Sequence, residues 1–256
     1  GSLSLNSPSS KETDAKHPRS AYSATKSGAE DLTLAAFETH SLPVIITRSS
    51  NNYGIFQFPE KILPLFITNL IDGKKVPLMW SEENPGLNVR DWLHVKDNCR
   101  AIWFISQKGK IGEIYNISGD NEKTNIELTQ NLLSSFGKGE EMIEKIPHRL
   151  GHDFRYSIDS SKLKSLGFFY KNKDFKRELE LLVEWYNANK SWWEPLRKNI
   201  LGVKIKEIKV HTDKPDIDSL GKVQNVSNPG NFREVLRFNE GLLDRIEQVS
   251  IGKTSP

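Results

Sequence analysis

The sequence predicts an α/β fold followed by a β-rich tail, and three features carry that expectation. Small and apolar residues, among them Ala21, Ala24, Gly28, Leu32, Ala35 and Ala36, recur at helical spacing between about Ser20 and His40. The run Pro43-Val44-Ile45-Ile46-Thr47-Arg48 follows at once, apolar and β-branched as a buried parallel strand requires. A helix leading into a buried strand is half of an α/β unit. From Ile200 the texture changes, with Val203, Ile205, Ile208 and Val210 interleaved with Lys and Glu in a strand-like pattern.

The elements follow in order. Residues 1–18 are rich in Ser, Pro and Lys and form a loop that ends at Pro18. The small residues of the helix from Ser20 to His40 suit close packing against another helix or a cofactor. A second helix spans Phe58 to Leu70, with Pro59 and Glu60 at its start. Lys75 to Trp80 is a short strand and Ser81 to Asn88 a polar, turn-rich insertion. Asp91 to Gln107 is helical over its second half, Glu113 to Ile117 is a strand, and Asn125 to Phe136 is a helix for which Asn125 could serve as N-cap. Phe175 to Asn189 is strongly amphipathic, with Leu179, Leu182, Val183 and Tyr186 on one face. It runs into Trp192-Trp193-Glu194-Pro195-Leu196, an aromatic terminus that closes a domain. A boundary at about 197–202 therefore separates residues 1–198 from 199–256.

Bulk properties narrow the function. A chain of 256 residues, 36% hydrophobic, can bury a core. Its 36 Lys and Arg stand against 33 Asp and Glu, a net +3 without long runs, which gives no nucleic-acid footprint. The single cysteine, Cys99, cannot form an internal disulfide, and no Cys/His group has zinc-ligand spacing, so a reducing cytoplasm and no metal are expected. The first twenty residues lack the apolar stretch of a signal peptide, and the apolar run Ile62 to Ile71 is too short to span a bilayer. A soluble protein without membrane partners is expected.

The chemistry centres on Tyr22-Ser23-Ala24-Thr25-Lys26. Residues four apart share a helix face, so the Lys26 ammonium can sit near the Tyr22 phenol. A nearby cation favours a phenolate, which can then take a proton from a sugar hydroxyl. Alone the pattern is weak, because Tyr186 and Lys190 repeat it in this same chain. Its bland reading is a surface tyrosine lying along a lysine stem.

Several ordered motifs supply context: Ser49-Ser50-Asn51-Asn52-Tyr53-Gly54, Phe58-Pro59-Glu60-Lys61, Arg90-Asp91-Trp92-Leu93-His94-Val95, Tyr115-Asn116-Ile117, Asn121-Glu122-Lys123-Thr124-Asn125, Gly151-His152-Asp153-Phe154-Arg155-Tyr156 and Val183-Glu184-Trp185-Tyr186. Over about residues 1–196 the chain closely resembles the dTDP-glucose 4,6-dehydratase family of extended short-chain dehydrogenases/reductases. Sugar-nucleotide 4-epimerases and decarboxylases share the Tyr-x-x-x-Lys helix but usually lack the Asn-Asn-Tyr-Gly and Phe-Pro-Glu-Lys pair. The resemblance implies the carboxy-terminal part of a Rossmann-like, NAD-binding fold with its substrate-binding lobe. In the family NAD takes hydride from C4 of the glucosyl unit, water leaves across C5 and C6, and the hydride returns to C6.

Tyr22 is then the base for the C4 hydroxyl and Lys26 the residue that holds the nicotinamide ribose and favours the phenolate. Asn52 falls where the family touches NAD, and Asn51, Lys61, Ile62 and Pro77 where it contacts the sugar nucleotide. Arg90, Asn125 and Arg155 complete the nucleotide site, since a guanidinium fork suits a pyrophosphate. The bland alternatives are salt bridges for the arginines, turn or cap duty for the asparagines and a solvated helix face for Lys61.

Two departures shape the expectation. Trp80 to Asn88 is a few residues longer than the family's turn there. The family's glycine-rich dinucleotide loop and its Thr-Asp-Glu elimination group find no match, and the chain opens at Gly1-Ser2-Leu3, which aligns just after that group. A truncated form is expected, whose activity and NAD binding require a Rossmann half from a separate chain; family members commonly form a helix-on-helix homodimer, and the small-residue faces of the first two helices suit one. Residues 200–256 weakly resemble the opening strands of dTDP-4-dehydro-sugar 3,5-epimerase-type cupins, or else form a β-rich tail packed on the first domain. The competing readings are a non-catalytic sugar-nucleotide-binding module and a 4-epimerase relative.

Overall fold

A computed structural model describes residues 3–148 and 152–202. The elements are α1 (Ala21–His40), β1 (Ile46–Ser49), β2 (Asn51–Tyr53), α2 (Ile62–Ile71), β3 (Val76–Met79), β4 (Val89–His94), α3 (Val95–Lys108), β5 (Ile114–Ile117), β6 (Glu122–Thr124), α4 (Asn125–Ser135), β7 (Ile143–Ile146), β8 (Arg155–Tyr156), α5 (Ser161–Ser165), α6 (Phe175–Ala188) and α7 (Lys190–Gly202). The predicted alternation of helices with parallel strands is therefore observed. β1 pairs in parallel with β5, Ile46 opposite Ile114, and β3 pairs in parallel with β7, Val76 opposite Ile143. β4 is the hub of the remaining sheet, with β2 and β8 parallel to it and β6 antiparallel.

All six residues of β4 are buried, although three of them are Arg90, Asp91 and His94. Each of these three side chains is hydrogen-bonded, as burial demands, whereas Trp92 Nε1 has no partner among the described residues. Asp91 accepts from the Ser118 hydroxyl at 2.9 Å and from the amides of Gly119 and Asn121 at 2.7 and 2.8 Å. His94 Nδ1 accepts the Lys96 amide at 3.3 Å and so caps α3. The Gly119 approach is tight: a Cβ there would lie 2.0 Å from the Trp92 carbonyl oxygen, which excludes every side chain.

Two apolar clusters flank β4. Trp92 joins Tyr53, Leu63, Phe66, Leu128 and Leu179 in a core built by α2, α4 and α6. Leu93, its neighbour in sequence, joins Ala101, Ile105, Tyr115, Ile117 and Leu163 in a second. Adjacent strand residues face opposite sides, so one dipeptide serves both cores. Each fully buried aliphatic side chain contributes about 1.5–3 kcal/mol.

Several expectations are corrected. α2 starts at Ile62, because Phe58 to Lys61 closes a turn in which the Lys61 amide donates to the Phe58 carbonyl. Asn125 is the first helical residue of α4, and the cap is Thr124, whose hydroxyl accepts the Glu127 amide in a reciprocal capping box. No residue of α1 is fully buried among the described residues, although Phe37 near its end lies against Gly112. α2, by contrast, already buries Leu63, Pro64, Phe66, Ile67, Thr68 and Leu70 within this chain. α7 spans the residues of the boundary expected at about 197–202 and ends at Gly202, and the compact unit that contains it ends at Val203. The β-rich or cupin-like tail from residue 203 lies outside the described residues. Among the described residues no helix is long and apolar enough to cross a membrane.

Candidate active site

The amino-terminal end of α1 forms one wall of a cavity of about 550 Å³, whose lining includes Tyr22, Lys26, Arg48, Asn51, Asn116 and Tyr156. The wall is fixed locally. Ser20 caps α1, its hydroxyl accepting the Ser23 amide at 3.1 Å while the Ser23 hydroxyl accepts the Ser20 amide at 3.0 Å. That reciprocal cap sets the first turn, on which Tyr22 stands 75% exposed. Lys26 follows one turn later, and no ion pair engages it among the described residues.

Two other cations at the cavity, Arg48 and Lys16, are paired. Arg48 forks onto Glu30, with Nη2 at 2.8 Å and Nε at 3.1 Å, and its Nη1 donates to the Glu12 carbonyl. Lys16 bonds Asp31 and lies 3.6 Å from Glu30. The amino-terminal loop is stitched to the opposite wall: the Ser10 amide donates to the Ser157 carbonyl, and Asn116 donates through its amide to Glu12 and through Nδ2 to the Ser10 carbonyl.

Of the residues expected at the site, the cavity gathers Tyr22, Lys26 and Asn51. Asn52 is the next strand residue and faces the other way. Its Nδ2 donates to the Ser50 carbonyl, and its Oδ1 is buried with no hydrogen-bond partner. Lys61 is exposed at the end of the loop that leaves β2, its Nζ 2.5 Å from Glu60. Ile62 opens α2 and packs on the first core, while Pro77 sits in β3 opposite Glu144. Asn125 is buried at the start of α4, its amide donating to the Asn88 carbonyl.

The two arginines differ. Arg90 is buried in β4, donating to the carbonyls of Val89 and Asp153 and reaching His152 Nε2 at 3.0 Å. Its guanidinium lies 4.3 Å from the centre of the Tyr156 ring, a cation–π distance. Arg155 instead forms a bidentate pair with Glu122, at 2.6 and 2.7 Å, and donates to the Ser4 and Ser7 carbonyls. The hydrogen bond from Arg155, aided by one from Ser157, holds the Glu122 carboxyl below the ordinary carboxylate range.

His152 and Tyr156 are site candidates that the sequence reading did not single out. Tyr156 lines the cavity and carries Arg90 over its ring, so it joins the α1 wall to the arginine. The available signal was the place of His152 and Tyr156 beside Arg155 in the run Gly151-His152-Asp153-Phe154-Arg155-Tyr156.

Residues 4–118 match the NAD dependent epimerase/dehydratase family. The dTDP-glucose 4,6-dehydratase of Streptomyces niveus is 46% identical over 180 residues, covering 70% of this chain and 52% of that protein. That of Streptomyces antibioticus is 45% identical over 185 residues, covering 72% and 54%. The crystal structure of the Bacillus anthracis dTDP-glucose 4,6-dehydratase in complex with NAD superposes with a TM-score of 0.71 at 44% identity, covering 77% of this chain and 61% of that one. The chain spans about half the length of the curated relatives it matches. Residues 4–118 thus belong to the NAD dependent epimerase/dehydratase family. Within it, the chain is a homologue of the dTDP-glucose 4,6-dehydratases over about 70% of its length.

Proposed function

We propose that this chain supplies the catalytic helix and substrate lobe of a dTDP-glucose 4,6-dehydratase, which converts a nucleotide-linked glucose to a 4-keto-6-deoxy sugar. The observation that carries this reading is the convergence of Tyr22, Lys26 and Asn51 on one cavity of about 550 Å³. The residues present fit the nicotinamide-ribose end of NAD: the Tyr22 phenol and the Lys26 ammonium, four residues apart on α1, share one helix face at the cavity. The diphosphate end needs a glycine-rich loop, and the sequence contains no Gly-x-x-Gly-x-x-Gly. When bound, NAD supplies a hydride acceptor.

In this reading Tyr22 takes the proton from the C4 hydroxyl as the hydride departs, and Lys26 holds the ribose. Asn51 and Lys61 orient the sugar nucleotide. Arg90 serves the diphosphate, because it stacks on a tyrosine of the cavity lining, whereas the charge of Arg155 is committed to Glu122. Arg155 thus acts by holding the loop of Ser4 and Ser7 in place. A further α/β segment, on the same polypeptide or a separate one, completes the sheet at β1, which is hydrogen-bonded to β5 on one side, and covers the open face of α1.

The test combines this chain with a dinucleotide-binding half, NAD and dTDP-glucose, and measures 4-keto-6-deoxy sugar. Tyr22→Phe should lower the rate by about 10²–10⁴ while leaving sugar-nucleotide affinity intact. Turnover that survives Tyr22→Phe would sink the assignment. A second reading, a sugar-nucleotide-binding module, is favoured by the buried Arg90 guanidinium stacked on Tyr156 of the cavity lining. It predicts calorimetric binding of dTDP-glucose without NAD binding and no turnover in any mixture.

A further inference from the structure

We propose that Phe56, Trp185, Trp192 and Tyr186 form an aromatic clamp that positions the loop from Gly54 to Lys61 and so sets the affinity for the sugar nucleotide. The inference rests on the reading above that Asn51 and Lys61 face that ligand. The loop starts where the chain leaves β2, at Gly54, which has φ +155° and where a Cβ would lie 2.5 Å from Val95 Cγ1. It ends at Lys61, the residue before α2.

Between these ends the backbone is strained. Phe56 holds φ +62°, a left-handed conformation that costs a non-glycine residue about 1–3 kcal/mol and persists only where surroundings impose it. Burial does not impose it, since Phe56 is 62% exposed. Ring contacts do. Phe56 stands edge-to-face on Trp185, centroids 4.7 Å apart, and on Trp192 at 5.4 Å, and the two indoles meet at 5.3 Å.

The next residue is fixed through its backbone. The buried Tyr186 donates its hydroxyl to the Gln57 carbonyl at 2.6 Å, across 129 positions of sequence, and Gln57 Nε2 donates back to the Asn52 carbonyl at 2.9 Å. Trp193 Nε1 donates to the Tyr186 carbonyl and ties α7 to α6 behind the clamp. A strained, exposed ring held by two tryptophans adds little to the core. It orders the stretch between Asn51-Asn52 and Lys61, and ordering a loop before binding raises affinity.

Calorimetric titration of the full chain with dTDP-glucose tests this, with melting temperature as the control for folding. Phe56→Gly, which relieves the strain but removes the ring, should weaken binding by about three- to tenfold, the scale of edge-to-face ring pairs, at an unchanged melting temperature. Phe56→Tyr should bind as the wild type does, and Tyr186→Phe should weaken binding with its packing preserved. In a Lys61→Ala background Phe56→Gly should have no further effect, because coupled residues are not additive. Wild-type affinity in Phe56→Gly, or an equal loss with and without Lys61, overturns the clamp alone. Failure of the wild-type chain to bind dTDP-glucose overturns both the clamp and the reading beneath it.

Discussion

At Arg155 a guanidinium suited to a diphosphate grips a carboxylate and two loop carbonyls instead, and nothing in the residue type distinguishes those fates. The partner decides, and Glu122 lies 33 positions away in sequence. Tyr22 and Lys26 were legible for the opposite reason, since helical spacing joins them through four residues. The same spacing at Tyr186 and Lys190 has no such meaning: Tyr186 is fully buried in α6, and Lys190 opens α7 and bonds Asp72 at 3.0 Å. The Arg155 pair has a pH signature. Because the folded Glu122 carboxyl is depressed, its stabilisation is present above the unfolded value of about 4.3 and is lost as pH falls through the folded value. Urea denaturation midpoints should therefore fall below about pH 4.3 more steeply for the wild type than for Glu122→Gln, which lacks that group. Parallel pH profiles would count against the pair.

Among the elements, long periodic segments were legible and short ones were not. α6 announced itself through Leu179, Leu182, Val183 and Tyr186, all of them buried. β2 and β6 have three residues and β8 two, too few for alternation to register. β4 was hidden differently: flanked by three strands, it buries Arg90, Asp91 and His94 alongside its apolar residues, so polarity gave no face to find. α1 depends on local interactions because it buries no residue. Ser20→Ala should remove about 1 kcal/mol of capping and accelerate amide exchange across Tyr22 to Lys26, with global melting unchanged. A fall in global melting temperature would mean that α1 is coupled to the cores.

For the molecule as a whole, the α/β class followed from helix–strand alternation. Trp192 and Trp193 suggested an approaching limit, and α7 runs on through Pro195 to Gly202. The division into two cores was invisible, because it depends on Trp92 and Leu93 facing opposite sides of β4. Leu128→Ala in the first core, fully buried among α2, α4 and α6, should cost about 2–5 kcal/mol by urea denaturation. A cost below 1 kcal/mol would show that this core can collapse around the gap. The bare face of α1 gives the chain a further property. Since no residue of the helix that bears Tyr22 and Lys26 is fully buried among the described residues, substitutions at its exposed positions should cost this chain less stability than substitutions in α2, α4 and α6. A library randomised over the exposed α1 positions should therefore yield folded proteins more often than one randomised over the buried positions of α6.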